Sequence, residues 1–154
     1  MTYTVRFAHL EHRPPWNPKD IIHRGDTIGR MGSSGQSTAA HLHLDGAEGA
    51  PEHLYSLVDM EAGDPKPIPL RQLLYFVDAE LFGVEPLVTT GYADPDYFTK
   101  RQKIHLGFDL VPIDRKQTTK HYNIHWNRST HGTVTRVGYD GKGYGHHIYI
   151  SFEV

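Results

Sequence analysis

The sequence predicts one mainly β domain, built from antiparallel strands. Three observations predict it. Fifteen glycines and ten prolines are spread along 154 residues, dividing the chain into short segments. Several of those segments alternate polar and apolar residues, the period of a half-buried strand. A glycine-rich stretch at 141–145 separates two such segments near the C-terminus, as a hairpin turn does. The length suits a single core without staples. Hydrophobic residues at 38% and charged residues at 22% fit a globular chain rather than a disordered one.

The elements follow in order. Residues 3–9 read as a strand with Tyr3, Val5, Phe7 and His9 on one face. Residues 25–29 are a turn into a short strand, and 32–38 are a loop of small residues. Residues 41–45 alternate again, with His41, His43 and Asp45 on one face and Leu42 and Leu44 on the other. The pattern is irregular from 47 to 64. Residues 69–77 carry the apolar spacing of a short helix with Pro69 in its first turn. Strand character returns at 87–90, 104–110, 132–137 and 147–152, and Tyr122, Ile124 and Trp126 mark one more strand.

Composition excludes several classes. Sixteen Lys and Arg against eighteen Asp and Glu give a net charge of −2, so no nucleic-acid or polybasic membrane footprint is present. The longest apolar run, 73–77, is far below the ~20 residues of a membrane helix, so no membrane insertion is expected. The N-terminus has no apolar core of a secretory signal. The absence of cysteine removes disulfides, thiolate metal sites and cysteine nucleophiles together. Twelve histidines stand out against that background and raise the question of metal ligation or proton transfer.

Spacing sorts the histidines. In a strand, His41 and His43 project to the same side about 6.6 Å apart, one able to bind a metal and the other to handle a proton; alone, two surface histidines are the commoner explanation. His105 and Asp109 are both good metal ligands, but a straight strand would hold them ~13 Å apart. The chain must curve between them, and Gly107 would permit the bend. His9 alone would pass for a rim or core histidine. His121 and His125 are spaced i, i+4 but fall where strand and loop are expected, so they read as rim or surface residues. His12, His23, His53 and His131 have no supporting pattern.

Together these pieces carry a specific likeness. Residues 25–45, GDTIGRMGSSGQSTAAHLHLD, preceded by FAHL at 7–10, resemble the signature of the lysostaphin-type, or LytM-like, zinc endopeptidases. HLGFD at 105–109 is similar to that family's H-x-G-x-D motif, GTV at 132–134 to its G-x-V strand, and GYGHHIYI at 143–150 to its G-Y-G-N-x-x-x-I segment, with His146 where Asn is usual. The order differs: in the family the H-x-x-x-D half comes first. Reading 88–154 and then 1–45 restores it. The resemblance therefore implies a single, circularly permuted domain over 1–154, with residues 46–87 as a joining segment containing a short helix.

The resemblance implies the antiparallel β-sheet, barrel-sandwich hybrid of that family. It implies one Zn2+ per chain held by His43, His105 and Asp109, with water as the fourth ligand. His41 would be the general base, and His9 would hold the water or stabilise the tetrahedral intermediate. Ser33, Ser34, Gly35, Ser37 and His146 would bind substrate. The implied reaction is hydrolysis of stem or cross-bridge peptides of bacterial peptidoglycan, in the periplasm or cell wall, by a monomeric, phage-type lytic enzyme. Two rivals predict differently: a LytM-like binding or regulatory module would not hydrolyse, and a β-sandwich binding protein with incidental histidines would hold no stoichiometric zinc.

Overall fold

A computed structural model describes residues 1–35, 37, 39–49, 66–102, 105–114 and 122–154. Nine strands and two short helices are found among them: β1 (Thr2–Leu10), β2 (Ile21–Ile22), β3 (Thr27–Arg30), β4 (Leu42–Glu48), α1 (Leu70–Leu74), β5 (Pro86–Thr90), α2 (Pro95–Arg101), β6 (Gly107–Pro112), β7 (Asn123–His125), β8 (Gly132–Asp140) and β9 (Gly145–Glu153). Seven strands form one sheet in the order β2-β8-β9-β1-β4-β6-β5, and β3 pairs with β7. Every pairing is antiparallel. The mainly β expectation holds. Among the described residues no helix is long and apolar enough to cross a membrane.

Pleat geometry separates the two faces of the large sheet. In the β1–β4 pair, Phe7 opposes Leu44, whereas Arg6 opposes Asp45 and Ala8 opposes His43. In β4–β6, Leu42 opposes Leu110 and His43 opposes Asp109. Opposed residues share a face, so one face gathers Val5, Phe7, Leu44, Ile148 and Ile150, all fully buried. Trp126 and Phe76 complete this core, tilted to one another and each packing edge-on to Phe152, with ring centroids 5.2–5.7 Å apart. The other face carries Arg6, His43, Asp45 and Asp109.

Several expectations need correction. The strand expected at 104–110 begins only at Gly107, so His105 lies in the irregular chain ahead of it. The chain therefore leaves the strand line before Gly107, and that glycine serves a different purpose: a Cβ there would meet the Leu44 carbonyl oxygen at 2.3 Å. The helix expected over 69–77 is regular only from Leu70 to Leu74, after which Phe76 and Val77 bond back three residues in tighter turns. His9 does not share a face with Tyr3, Val5 and Phe7. It adopts a left-handed conformation, φ 61, at a register shift between Phe7 and Leu10. That irregularity breaks the alternation, sends Leu10 into the core and leaves His9 beside His41 and His43.

Candidate metal centre

The site grows from two paired strands. The β4–β6 register sets His43 directly opposite Asp109, and the chain just ahead of β6 supplies His105. His43 Nδ1 lies 2.9 Å from Asp109 Oδ1, and His105 Nε2 lies 3.5 Å from the same oxygen. One ligand atom from each of the three residues falls within a 4.8 Å cluster. A tetrahedral ion with bonds of about 2.0–2.1 Å would separate its donors by roughly 3.3 Å, between the two observed spacings.

The donor chemistry fits a metal ion. Neutral imidazole offers one lone pair, so a ligating His must dispose of its other nitrogen. His105 does so by donating from Nδ1 to the Gly91 carbonyl at 3.0 Å, which presents Nε2 to the cluster. His43 Nε2 is buried and has no aligned hydrogen bond; its neighbour is Asp45 Oδ2 at 3.2 Å. A buried ring with one face turned to Asp109 and the other to Asp45 suits a cation between the first pair.

The flanking histidines are fixed in the same manner. His41 Nδ1 lies 3.0 Å from the Ala39 carbonyl and 3.2 Å from Ser37 Oγ. This leaves Nε2 facing Asp109 Oδ1 at 3.8 Å. His9 Nδ1 donates to the Ser34 carbonyl at 2.8 Å, and its ring centroid is 4.7 Å from that of His41. Tyr97 of α2 covers His105 at 4.6 Å between ring centroids. Tyr144 sits 5.5 Å from His43.

Charge in this pocket is strongly coupled. Burial works to raise the Asp109 carboxyl, but hydrogen bonds from His105 and His43 hold it well below the usual carboxylate range. Burial likewise opposes ionisation of Asp45, and Arg6 followed by His43 overrides it. Burial pulls His43 down, yet Asp45 and Asp109 outweigh that and raise it to about 9. His9 is lowered to about 4, first by burial and then by His41 and His43, against the Ser34 carbonyl. It is therefore a neutral ring at pH 7.

The remaining expected residues are placed less uniformly. Ser34 is spent on structure: its hydroxyl donates to the Leu10 carbonyl and accepts from the His146 amide at 3.0 Å. Gly35, at φ +75, lies so close to the β8–β9 turn that a Cβ would meet the Gly145 amide nitrogen at 2.2 Å. Ser33 is exposed and bonds Ser37 Oγ at 3.0 Å. The His146 ring packs on Tyr139 at 4.6 Å. His125 is half-buried on β7, while His12, His23 and His131 are exposed and outside the cluster. His53 and His121 lie outside the described residues.

Arg6, Asp45, Tyr97 and Tyr144 were not among the expected site residues. Asp45 shares the parity of His41 and His43, which was the available signal. Tyr144 stands in the GYG segment at 143–145, but no role was expected of it; no local motif marks Arg6 or Tyr97. No family model matches the chain, and no curated protein or solved structure matches it.

Proposed function

We propose that the chain is a zinc-dependent endopeptidase that hydrolyses peptides of bacterial peptidoglycan, with LytM-type motifs in circularly permuted order. One observation carries this reading. The residues matching the two zinc motifs, distant in sequence, converge as His43 Nδ1, His105 Nε2 and Asp109 Oδ1, with His41 Nε2 turned to the same carboxylate. The reciprocal bonds between Met1 and Val154, 3.2 and 2.9 Å, support the permuted order, because a short turn there would restore the usual succession of motifs.

His43, His105 and Asp109 would hold the zinc, which when bound supplies Lewis acidity and an acidified water near neutral pH. The chain's own groups account for the rest. His41 has its Nδ1 engaged with the backbone, so Nε2 is the atom that takes up a proton from the attacking water and later returns it to the leaving amine. His9, anchored by its bond to the Ser34 carbonyl, packs beside His41 with ring centroids 4.7 Å apart, where it would help hold the water or stabilise the tetrahedral intermediate. The close docking of Ser34 and Gly35 on the β8–β9 turn fixes the wall behind His9.

The test is metal analysis of the purified protein, followed by digestion of defined peptidoglycan with mass spectrometry of the new termini. About one zinc per chain and new peptide termini are expected. His43→Ala, His105→Ala and Asp109→Ala should each lose zinc and hydrolysis. Full zinc occupancy in all three variants overturns the ligand assignment. Bound zinc with intact substrate would favour a binding or regulatory module instead.

A further inference from the structure

Beneath the ligand set lies a buried ionic pair. Arg6 and Asp45 face each other across β1 and β4, with relative exposures of 0% and 4%. The pairing is bidentate: Arg6 Nε donates to Asp45 Oδ1 at 2.7 Å, and Nη2 donates to Oδ2. Tyr149 Oη accepts from Arg6 Nη1 at 3.2 Å, and the guanidinium lies 3.7 Å from the Tyr144 ring centroid. An apolar pair of similar size could occupy this space with equal or better stability, because burying two charges carries a large desolvation cost. Stability alone therefore does not account for an ion pair here.

Its position does. Asp45 Oδ2 is shared between Arg6 and His43 Nε2, while His43 Nδ1 faces Asp109. We infer that Asp45 is the positioning residue for the metal ligand His43, and that Arg6 is the anchor that holds Asp45 to this task. The inference rests on the metal-centre reading above. A neutral imidazole carries one N–H. Metal-free, His43 Nδ1 donates to Asp109; once a cation takes the place of that proton, Asp45 keeps the remaining proton on Nε2, and the Nδ1 lone pair is committed to the space between His105 and Asp109. Without the carboxylate, the proton is free to sit on Nδ1, where it blocks a cation. Arg6 engages both carboxylate oxygens, so the acceptor does not rotate away from His43. His105 solves the same problem with the neutral Gly91 carbonyl. The carboxylate version also makes its ring a stronger donor.

The test is zinc affinity of the full chain, measured by competition with a chromophoric chelator, together with the melting temperature of the metal-free protein. Asp45→Asn and Arg6→Met should weaken zinc binding by about 10–100-fold, and Asp45→Glu should recover part of the loss. Folded variants that melt lower yet bind zinc as tightly as wild type would make the pair merely structural and overturn the inference. Long-range proton–nitrogen NMR of the zinc-loaded wild type decides the matter even where a variant fails to fold. The His43 ring should carry its proton on Nε2 and zinc on Nδ1; the reverse arrangement overturns the inference. Wild-type protein that binds no zinc, or His43→Ala that retains it in full, would instead overturn the metal-centre reading and this inference with it.

Discussion

Four imidazoles crowd one side of β4, and each is defined by what occupies its second nitrogen. His9, His41 and His105 all engage a backbone carbonyl through Nδ1, those of Ser34, Ala39 and Gly91. His43 alone lies between two carboxylates. This difference separates roles within one cluster. His41→Ala and His9→Ala should keep their metal, since neither belongs to the ligand triad, but should lose hydrolysis by about 10²-fold or more when proton transfer is disabled. Metal analysis beside the peptidoglycan assay checks this; loss of metal from His41→Ala with retention in His43→Ala would mean the two roles are reversed. The same contrast predicts a pH profile for the metal-free protein in chelator. His9, lowered to about 4, resists a proton that the unfolded chain accepts below ~6.5, so stability falls as pH drops from 6.5 toward 4. His43, raised to about 9, holds a proton that the unfolded chain releases. Its contribution is complete below 6.5 and is lost as pH climbs to 9. Melting temperature should therefore peak near pH 6.5. His43→Ala should flatten the alkaline limb, and an unchanged limb in that variant would refute the assignment.

At the scale of elements, strands were legible where alternation is undisturbed and illegible where a distant partner decides. The 41–45 segment alternates cleanly, so the shared face of His41, His43 and Asp45 follows from the sequence. Arg6 has the same parity within β1, but its burial depends on Tyr144 and Tyr149, more than a hundred residues away. His9 misleads because its left-handed backbone is set by tertiary bonds: its amide donates to the Tyr144 carbonyl at 2.8 Å, and its carbonyl accepts from Gly32 at 3.1 Å. The helix α2 was missed although Asp94 and Pro95 spell its start, the Asp94 carboxylate accepting from the Tyr97 amide at 3.0 Å. It matters, because α2 delivers Tyr97 onto His105. The loop 32–38 was legible as small residues, but the reason for its smallness at Gly35 lies in its partner: Gly35 and Gly145 press backbone to backbone. Gly35→Ala would combine a left-handed alanine, unfavourable by about 1–2 kcal/mol, with a clash against the Gly145 amide. The expected outcome is a lower melting temperature and weakened hydrolysis with metal content unchanged, read by thermal unfolding and metal analysis. Wild-type stability would show that the two loops separate freely.

At the scale of the whole molecule, the candidate metal site joins two halves of the chain that are remote in sequence, and the route between them decides how many chains one site needs. Residues 1–45 bring His9, His41 and His43; residues 88–154 bring His105 and Asp109. Two chains could in principle trade halves, each completing the other's site, provided that a hinge opens in the joining segment. The described part of that segment argues against an easy hinge. Residues 66–68 bond against the end of β4: the Glu48 amide donates to the Lys66 carbonyl at 2.8 Å, and the Ile68 amide donates to the Gly46 carbonyl at 3.1 Å. The segment then buries Ile68, Leu73 and Phe76 in the core beside Phe7 and Phe152. An exchange must break this docking or divide the chain between residues 77 and 86, whereas closure within one chain carries only a slowly growing entropic cost. A closed monomer is therefore expected. Unfolding His43→Ala and Asp109→Ala proteins together, refolding the mixture and measuring both zinc per chain and hydrolysis tests this directly. Closed monomers leave every site with one lesion, so neither quantity recovers. Exchanged dimers would unite the intact His43 of one chain with the intact Asp109 of the other in part of the population, and recovery of zinc binding would establish a site shared between subunits.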